Sequence, residues 1–416
     1  METVQLKQLL KNSNKWLPLL VTAPSVAVAI ITLRLMGVFQ ILEWAALDQF
    51  FRRRPPEPME NRIAIVALDE PTIRSVGQWP LPDATLAEVI EKIRASKPRA
   101  IGMDLYRDLP VQPGHDKLVQ VMESTPNLIG VQKVVKDSLG GAVNPPPVLQ
   151  QKGQVAAADL VLDGDGKVRR GLLSLETESG GEIVGLGATM ALMYLAPEGI
   201  ELQEVQGKER HYQLGKATFI PFAENDGGYV DADDKGYQIL LNFRGEEQVF
   251  QIVSMTEVLT GNLPADWARD KLVFIGATAA SLNDSFFTSY SSTLSAFPKR
   301  LPGVLIHANI TSQILNAALA GRPMMRVWAK PLEWGWILAW SSIGTILGWA
   351  VRSRRILPQF IYQNVTYSAC AVIFSLVIVS TILIILTYWA FLLGWWIPLI
   401  PSRASRLISA STIMGY

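Results

Sequence analysis

Apolar residues are distributed along this chain in two ways. In the flanks they form charge-free runs: Trp16–Leu33, Trp334–Val351 and the longer stretch Ile356–Ser402. Between the flanks they alternate with charged positions at spacings that specify short strands and amphipathic helices. The clearest unit is Asn61–Tyr106. The apolar run Arg62–Leu68 meets the carboxylate pair Asp69 and Glu70, and Ala100–Met103 runs into Asp104 in the same way. Between them, from Asp83, the residues Leu86, Val89, Ile90 and Ile93 recur at helical spacing, with Glu88, Glu91, Lys92 and Arg94 on the other face. Strand, helix and strand in this order predict a parallel crossover unit, and such sheets place ligands outside the carboxyl ends of their strands.

The same alternation continues to Asn316. His115–Met122 reads as a short helix and Asn127–Val135 as a third strand, while the prolines of Asn144–Val148 predict a loop, since proline denies a ladder its donors. Asp163–Gly166 predicts a hairpin turn. A calcium loop at the same place fails, because its fifth and twelfth positions would be Lys167 and Ser174. Ile183–Leu195 predicts a buried helix, Gly199–Asp234 a pair of short strands with loops, and Gln238–Phe243 and Lys271–Gly276 two further strands. Ser254 with Glu257 three residues on has capping-box spacing, and Pro302-Gly303 opens a helix over Val304–Leu315. The expected fold is an α/β domain with a mainly parallel sheet over 61–316, flanked by transmembrane α-helices, one before it and three after.

The flanks set the expected topology. Residues 1–15 form a polar cytoplasmic head and 16–37 a membrane helix. That helix is an anchor rather than a cleaved signal peptide, because the small residues Ala27 and Ala29 lie inside the run with more apolar sequence after them. Residues 38–60 are a linker, with Gly37–Phe51 amphipathic and Arg52–Pro56 a stiff, charged stop that touches lipid head groups. After a linker at 317–333, spans are expected at 334–351, 362–387 and 396–416, the second and third separated near Gly394–Trp396. The basic loop at 352–361, with Arg352, Arg354 and Arg355, is placed in the cytoplasm by the positive-inside rule. The globular domain is therefore expected outside. Arg52–Arg54 would then lie against that rule, which weakens for large translocated domains. Arg403 and Arg406 fall on one helical face and, in lipid, must turn toward the bundle or reach water, which makes them candidates for transmembrane coupling.

Composition narrows the function. A net charge of +1 and the absence of a basic stripe give no case for nucleic acid, and Cys370, the one cysteine, excludes an internal disulfide and any thiolate metal centre. There is no phosphate-binding loop, HExxH, Gly-x-Ser-x-Gly or dinucleotide fingerprint, so no catalytic residues and no cofactor are expected and the chain does not read as an enzyme. The residues that could bind a ligand are Asp69, Glu70, Asp104 and Asp284, which follow strands of one sheet, together with Trp79, His307 and Asn309. The bland alternative is that the carboxylates cap helices and bond loop amides, that His307 bonds a neighbouring loop, and that Trp79 is a packing plug.

Seven segments also occur together in order: Ile65–Glu70, Gly77–Pro80, Ala100–Asp104, Asp163–Arg170, Leu272–Thr278, Asp284–Thr288 and Pro302–Asn309. As a set they resemble the type 2 family of CHASE domains, the cyclase/histidine-kinase-associated sensory extracellular domains of bacteria, over about Phe50 to Asn316. The resemblance implies a membrane-bound sensory receptor in the bacterial inner membrane, multi-pass, with its main domain extracytoplasmic. Its partners would be membrane lipid, an unidentified ligand or protein outside, and a cytoplasmic kinase- or cyclase-type effector or a second copy of the chain. It offers no catalytic residues to carry over. Two departures stand out. Family members carry Trp-Pro-Trp-Pro-Arg or similar, whereas here Trp79-Pro80 is followed by Leu81, Pro82 and Asp83, which puts a basic ligand contact there in doubt. The effector expected after the last span would lie beyond Tyr416 or on a separate protein. The alternatives are an envelope assembly protein whose outer domain binds protein partners and, behind it, a metal-dependent hydrolase built on Asp69, Asp104 and their neighbours.

Overall fold

The computed structural model describes residues 20–136, 140–177, 180–292, 298–352 and 365–415. The N-terminal head and nearly all of the basic loop at 352–361 lie outside these residues. The helices in chain order are α1 (Leu20–Leu35), α2 (Gln40–Arg53), α3 (Glu70–Val76), α4 (Asp83–Ala95), α5 (His115–Glu123) and α6 (Pro147–Gln151). They continue as α7 (Leu186–Leu195), α8 (Met255–Thr260), α9 (Gly303–Ala320), α10 (Lys330–Arg352), α11 (Val365–Leu392) and α12 (Ile400–Gly415). The chain divides into two compact units, one of Phe51–Phe222 with Asp234–Met324, the other of Met1–Phe50, Ala223–Asp233 and Met325–Tyr416.

The first unit is built on a six-stranded sheet of β1 (Glu60–Leu68), β2 (Ala100–Asp104), β3 (Leu128–Gln132), β4 (Val155–Ala157), β5 (Phe250–Ser254) and β6 (Leu272–Ala277). Its order is β5-β1-β6-β2-β3-β4, and every neighbouring pair is parallel. Fully buried runs such as Ile63–Leu68 fit this arrangement, since a parallel sheet is covered on both faces. The inward stripe of α4 (Leu86, Val89, Ile90 and Ile93) packs with Val66, Met103 and Ile275 in one apolar core. The opposite face is covered by α7 and α9. Gly276 lets α9 approach β6, because a Cβ there would lie 2.5 Å from Cβ of Val304. Gly187 does the same for α7, where a Cβ would lie 2.8 Å from Cβ of Ile310.

Two sequence readings change. The buried helix expected from Ile183 starts at Leu186, because Glu182–Val184 pairs antiparallel with Arg170–Glu176. Asn144–Val148 is a loop only in part, since Pro147 begins α6; proline at the first helical position has no intrahelical bond to lose. The turn at Asp163–Gly166 forms, with the Gly166 amide donating to the Asp163 carbonyl. Its sequence does more than turn the chain. The Asp163 carboxylate is buried between Arg169 at 2.9 Å and Arg170 at 3.0 Å. Ser254 and Glu257 form the expected capping box on α8.

In the second unit α1 and α2 meet at 87° at a break containing Gly37, whose φ of +77° suits glycine. Arg326–Val327 and Trp395–Trp396 pair as parallel strands, and the helices that follow them, α10 and α12, run in the same direction. They touch backbone to backbone: a Cβ on Gly344 would lie 2.1 Å from the Arg406 carbonyl oxygen, and one on Gly348 2.6 Å from that of Ala410. Small residues spaced four apart on one helix allow this close approach. Ser341 donates to the Ala23 carbonyl on α1 and shares a 2.6 Å hydroxyl pair with Ser409. Among the described residues Phe374–Leu392 of α11 is the one unbroken helix long and apolar enough to cross a membrane, and the bent pair α1 and α2 passes only if counted as one span. The chain thus joins a mainly parallel sheet domain to at least one long apolar helix.

Residues 223–233 belong to the helical unit, although Phe222 and Asp234 on either side belong to the sheet domain. Arg34 donates to the Gly227 carbonyl and pairs with Glu333 at 3.0 Å, and the Val230 amide donates to Gln40 at 2.9 Å. Tyr229 sits between the rings of Trp44 and Trp396, at 5.1 and 5.8 Å.

Candidate functional site

The carboxyl ends of β6, β2, β3 and β4 open into a cavity of about 690 Å³. Each strand end contributes to it. Asp104, Leu105 and Tyr106 follow β2, Lys133 follows β3, Ala158 and Asp159 follow β4, and Ala277 ends β6, with the Leu282–Phe287 segment behind it. Trp79 and Arg300 stand at the wall, and Gly303 and His307 of α9 complete the lining.

The strand order sorts the sequence candidates. β1 lies between β5 and β6, one strand beyond the cavity, so its carboxylates take structural roles. Asp69 caps α3, accepting from the amide of Thr72 at 2.9 Å and its hydroxyl at 2.6 Å. Glu70 accepts from the Ser281 amide at 2.9 Å, which ties down the loop leading to Asp284 and holds the Glu70 carboxyl below its usual range. Asn309 is buried and fully used: it accepts from the Arg244 amide at 3.0 Å and donates to the Gly245 carbonyl at 3.1 Å. These three are outside the lining. Asp104, Asp284, His307 and Trp79 are brought together in it.

Burial raises the carboxyls of Asp104 and Asp284 well above the usual carboxylate range, and the charge of Asp104 pushes Asp284 up further. Asp284 rests on the first turn of α9. Its Oδ1 is 3.1 Å from where a Cβ on Gly303 would stand, so glycine there makes room for the carboxylate. His307 is only 3% exposed. Burial lowers it to about 4, against the opposing pull of Asp284 and a hydrogen bond to the Ala158 backbone. Its Nδ1 is buried with no hydrogen-bond partner among the described residues.

The lining also holds residues not singled out from the sequence, among them Tyr106, Lys133, Asp159 and Arg300. Three of these four follow sheet strands directly, so the rule that pointed to Asp104 would have reached them. Asp159 is spoken for, accepting from the amides of Val134 and Val135 at 2.9 and 2.8 Å. Lys133 donates to the carbonyls of Val135 and Gly140, and Arg300 lies over the Phe287 ring at 4.5 Å.

Trp79 is held in place from behind. Leu81, fully buried, and Asp83 anchor its loop: Arg107 donates to the Leu81 carbonyl at 2.9 Å, and His115 lies 2.8 Å from Asp83. Asp83, which stands where the family pattern has a basic residue, is thus a scaffold residue and leaves the Trp79 ring 47% exposed. The coupling candidates separate. Arg406 is buried and donates to the Leu376 carbonyl at 2.9 Å and to Ser380, both on α11, whereas Arg403 is exposed.

Among the described residues no group of three His, Cys, Asp or Glu side chains is arranged to hold a metal ion, so the strand-end carboxylates do not assemble the centre a metal hydrolase would need. What remains is a recessed cavity with an acidic floor and an aromatic wall, suited to binding. No curated protein and no solved structure matches this chain. The family model for the CHASE2 domain matches residues 25–346, well over half of the sequence and including the whole cavity lining. On that match the chain belongs to the CHASE2 domain family.

Proposed function

We propose that the sheet domain is the extracytoplasmic head of a membrane-bound receptor, that its stimulus binds in the cavity at the carboxyl edge of the sheet, and that the helical unit carries the response across the membrane. CHASE2 is a sensory module without catalytic function, and together with a long apolar helix it supports an extracytoplasmic sensory role. The observation that carries the cavity assignment is the state of its floor. No described residue donates a hydrogen bond to the half-buried Asp104 or Asp284, and the buried Nδ1 of His307 has no partner among the described residues, whereas buried polar groups in folded proteins are ordinarily satisfied.

In this reading α1, α10, α11 and α12 all span, with α11 antiparallel to α10 and α12. The parallel course of α10 and α12 favours it, since the first and third of three consecutive spans must run the same way. The 223–233 loop, chemically continuous with the head yet packed with the helices, is the mechanical link. Arg406 is the coupling residue, fixing α12 to α11 through Leu376 and Ser380. The output is a kinase- or cyclase-type effector, fused or separate, or a rearrangement between copies of the chain. Protease added to intact spheroplasts tests the arrangement. Cleavage within 51–324 is expected; protection of that segment while an external control protein is cut would overturn it.

A further inference from the structure

The floor of the cavity has a one-sided hydrogen-bonding character. α9 is buried along nearly its whole length and carries several polar side chains inward. Asn309 is satisfied by Arg244, Gly245 and Leu305, Thr311 donates to the Gly187 carbonyl at 2.7 Å, and Gln313 bridges Asn242 and Leu240. Ser312 and Asn316 meet the Glu60 carboxylate. His307 is the exception among them. With the ring proton on its other nitrogen, toward the Ala158 backbone, Nδ1, which has no partner among the described residues, presents a lone pair. Asp104 and Asp284 present carboxylate oxygens to the same cavity, with no described donor for either. With both carboxyls ionised, all three groups accept. The cations that line the cavity are engaged elsewhere, Lys133 on the Val135 and Gly140 carbonyls and Arg300 on the Phe287 ring.

We propose that the cavity recognises an organic amine, through an ammonium group seated among Asp104, Asp284 and Nδ1 of His307. This rests on the cavity being the stimulus site and names the ligand class that site takes. An ammonium is all donor, with three N–H groups and no acceptor, and so complements this floor once the proton held by the aspartates has left. Its N–H···O contacts run at about 2.8 Å and are charge-assisted, which frees it from the tight coordination sphere that a metal ion would demand. The wall completes the fit: Trp79, Tyr106, Phe286 and Phe287 offer aromatic surface to the ligand's carbon frame. Entry of a cation offsets the repulsion that keeps the two aspartates from both ionising, so binding expels a proton to solvent.

Three probes of matched size, benzylamine, benzyl alcohol and benzoate, separate the possibilities on the full chain in lipid nanodiscs. Benzylamine is expected to raise the unfolding temperature of the sheet domain and to bind in calorimetry with proton release, while the alcohol and the acid do neither. Asp104→Asn and Asp284→Asn are each expected to weaken benzylamine by about tenfold or more, since each leaves a desolvated cation short of a partner. Benzoate or the alcohol binding as well as benzylamine overturns the amine assignment and leaves the cavity standing. Undiminished benzylamine binding in both folded variants overturns it as well. Failure of all three probes overturns the amine assignment and the cavity reading together. The wild-type comparison decides the ligand class even if both variants fail to fold.

Discussion

Acid should loosen the sheet domain through one residue, His307, and by a calculable amount. Burial holds its folded value at about 4, against an ordinary value of 6.5. Because the folded value is depressed, the neutral ring fits the fold and the unfolded chain takes up a proton first. Stability is therefore full above pH 6.5 and falls as pH drops from there toward 4. The linkage relation gives a loss of about 2 kcal/mol at pH 5 and about 3 kcal/mol at pH 4. These are large fractions of the 5–15 kcal/mol that typically separates folded from unfolded domains.

Other groups respond to the same change, so the measurement must be differential. Asp104 and Asp284, with raised carboxyls, retain protons in the folded state and act in the opposite sense, stabilising as pH falls. Glu60 and Asp165, held low by Arg62 and Arg169, lose stabilisation in acid. A His307→Gln variant keeps a polar side chain that cannot charge and leaves those groups in place. The opening free energy of α9 can be read from urea-dependent hydrogen exchange at pH 7.5 and pH 5, corrected for the intrinsic pH dependence of exchange. Wild type is expected to lose about 2 kcal/mol more than the variant over that interval. Parallel losses in the two proteins would refute the assignment of a buried, neutral His307. A ring titration by NMR gives an independent check, made tractable by there being three histidines in the chain.

Three further outcomes follow from packing and charge. Asp163→Asn leaves the buried Arg169 and Arg170 without their shared carboxylate and is expected to destabilise the sheet domain by about 3 kcal/mol, measured by urea unfolding. Gly276→Ala drives a methyl into Val304, forces α9 off β6 and is expected to remove about 1–3 kcal/mol, again by urea unfolding, while weakening any ligand held by His307. Gly344→Leu sets a side chain against the α12 backbone and is expected to lower the unfolding temperature of the helical unit in nanodiscs, leaving the urea midpoint of the sheet domain unchanged.

The legible parts of the fold were those whose cause is local. The inward stripe of α4, the Ser254–Glu257 capping box, the turn at Asp163 and the break at Gly394, with its φ of +86°, all depend on residues a few positions apart. What escaped depends on distant partners. Glu182–Val184 has a helical-looking pattern and becomes a strand because Arg170–Glu176 lies beside it. Nothing near 223–233 announces that Trp44 and Trp396 will clasp Tyr229. The candidate site shows the same division. That carboxylates end the strands could be read directly, but which of them cap helices and which face a cavity is fixed by the order β5-β1-β6-β2-β3-β4, which no single stretch encodes.

That order bears on why the unsatisfied groups occur where they do. At the β1 end of the sheet the protein spends its carboxylates on itself, Asp69 on Thr72 and Glu70 on Ser281, and the loops there are fixed. At the β2 and β6 end Asp104 and Asp284 have no donor among the described residues, beside His307, the inward polar group of α9 without a described partner at Nδ1. An isolated buried polar group of this kind costs about 1–3 kcal/mol, and here Nδ1 of His307 lies beside two half-buried carboxylates that no described residue bonds. The arrangement makes sense if the missing partner arrives from outside. A ligand that completes the floor binds the folded state alone and restores that stability by mass action. It would also draw together the Leu282–Phe287 segment, the α9 N-terminus and the end of β2, elements that are otherwise linked only through the sheet. A head that is strained when empty and relieved when occupied has two energetically distinct states, which is the minimum a receptor needs.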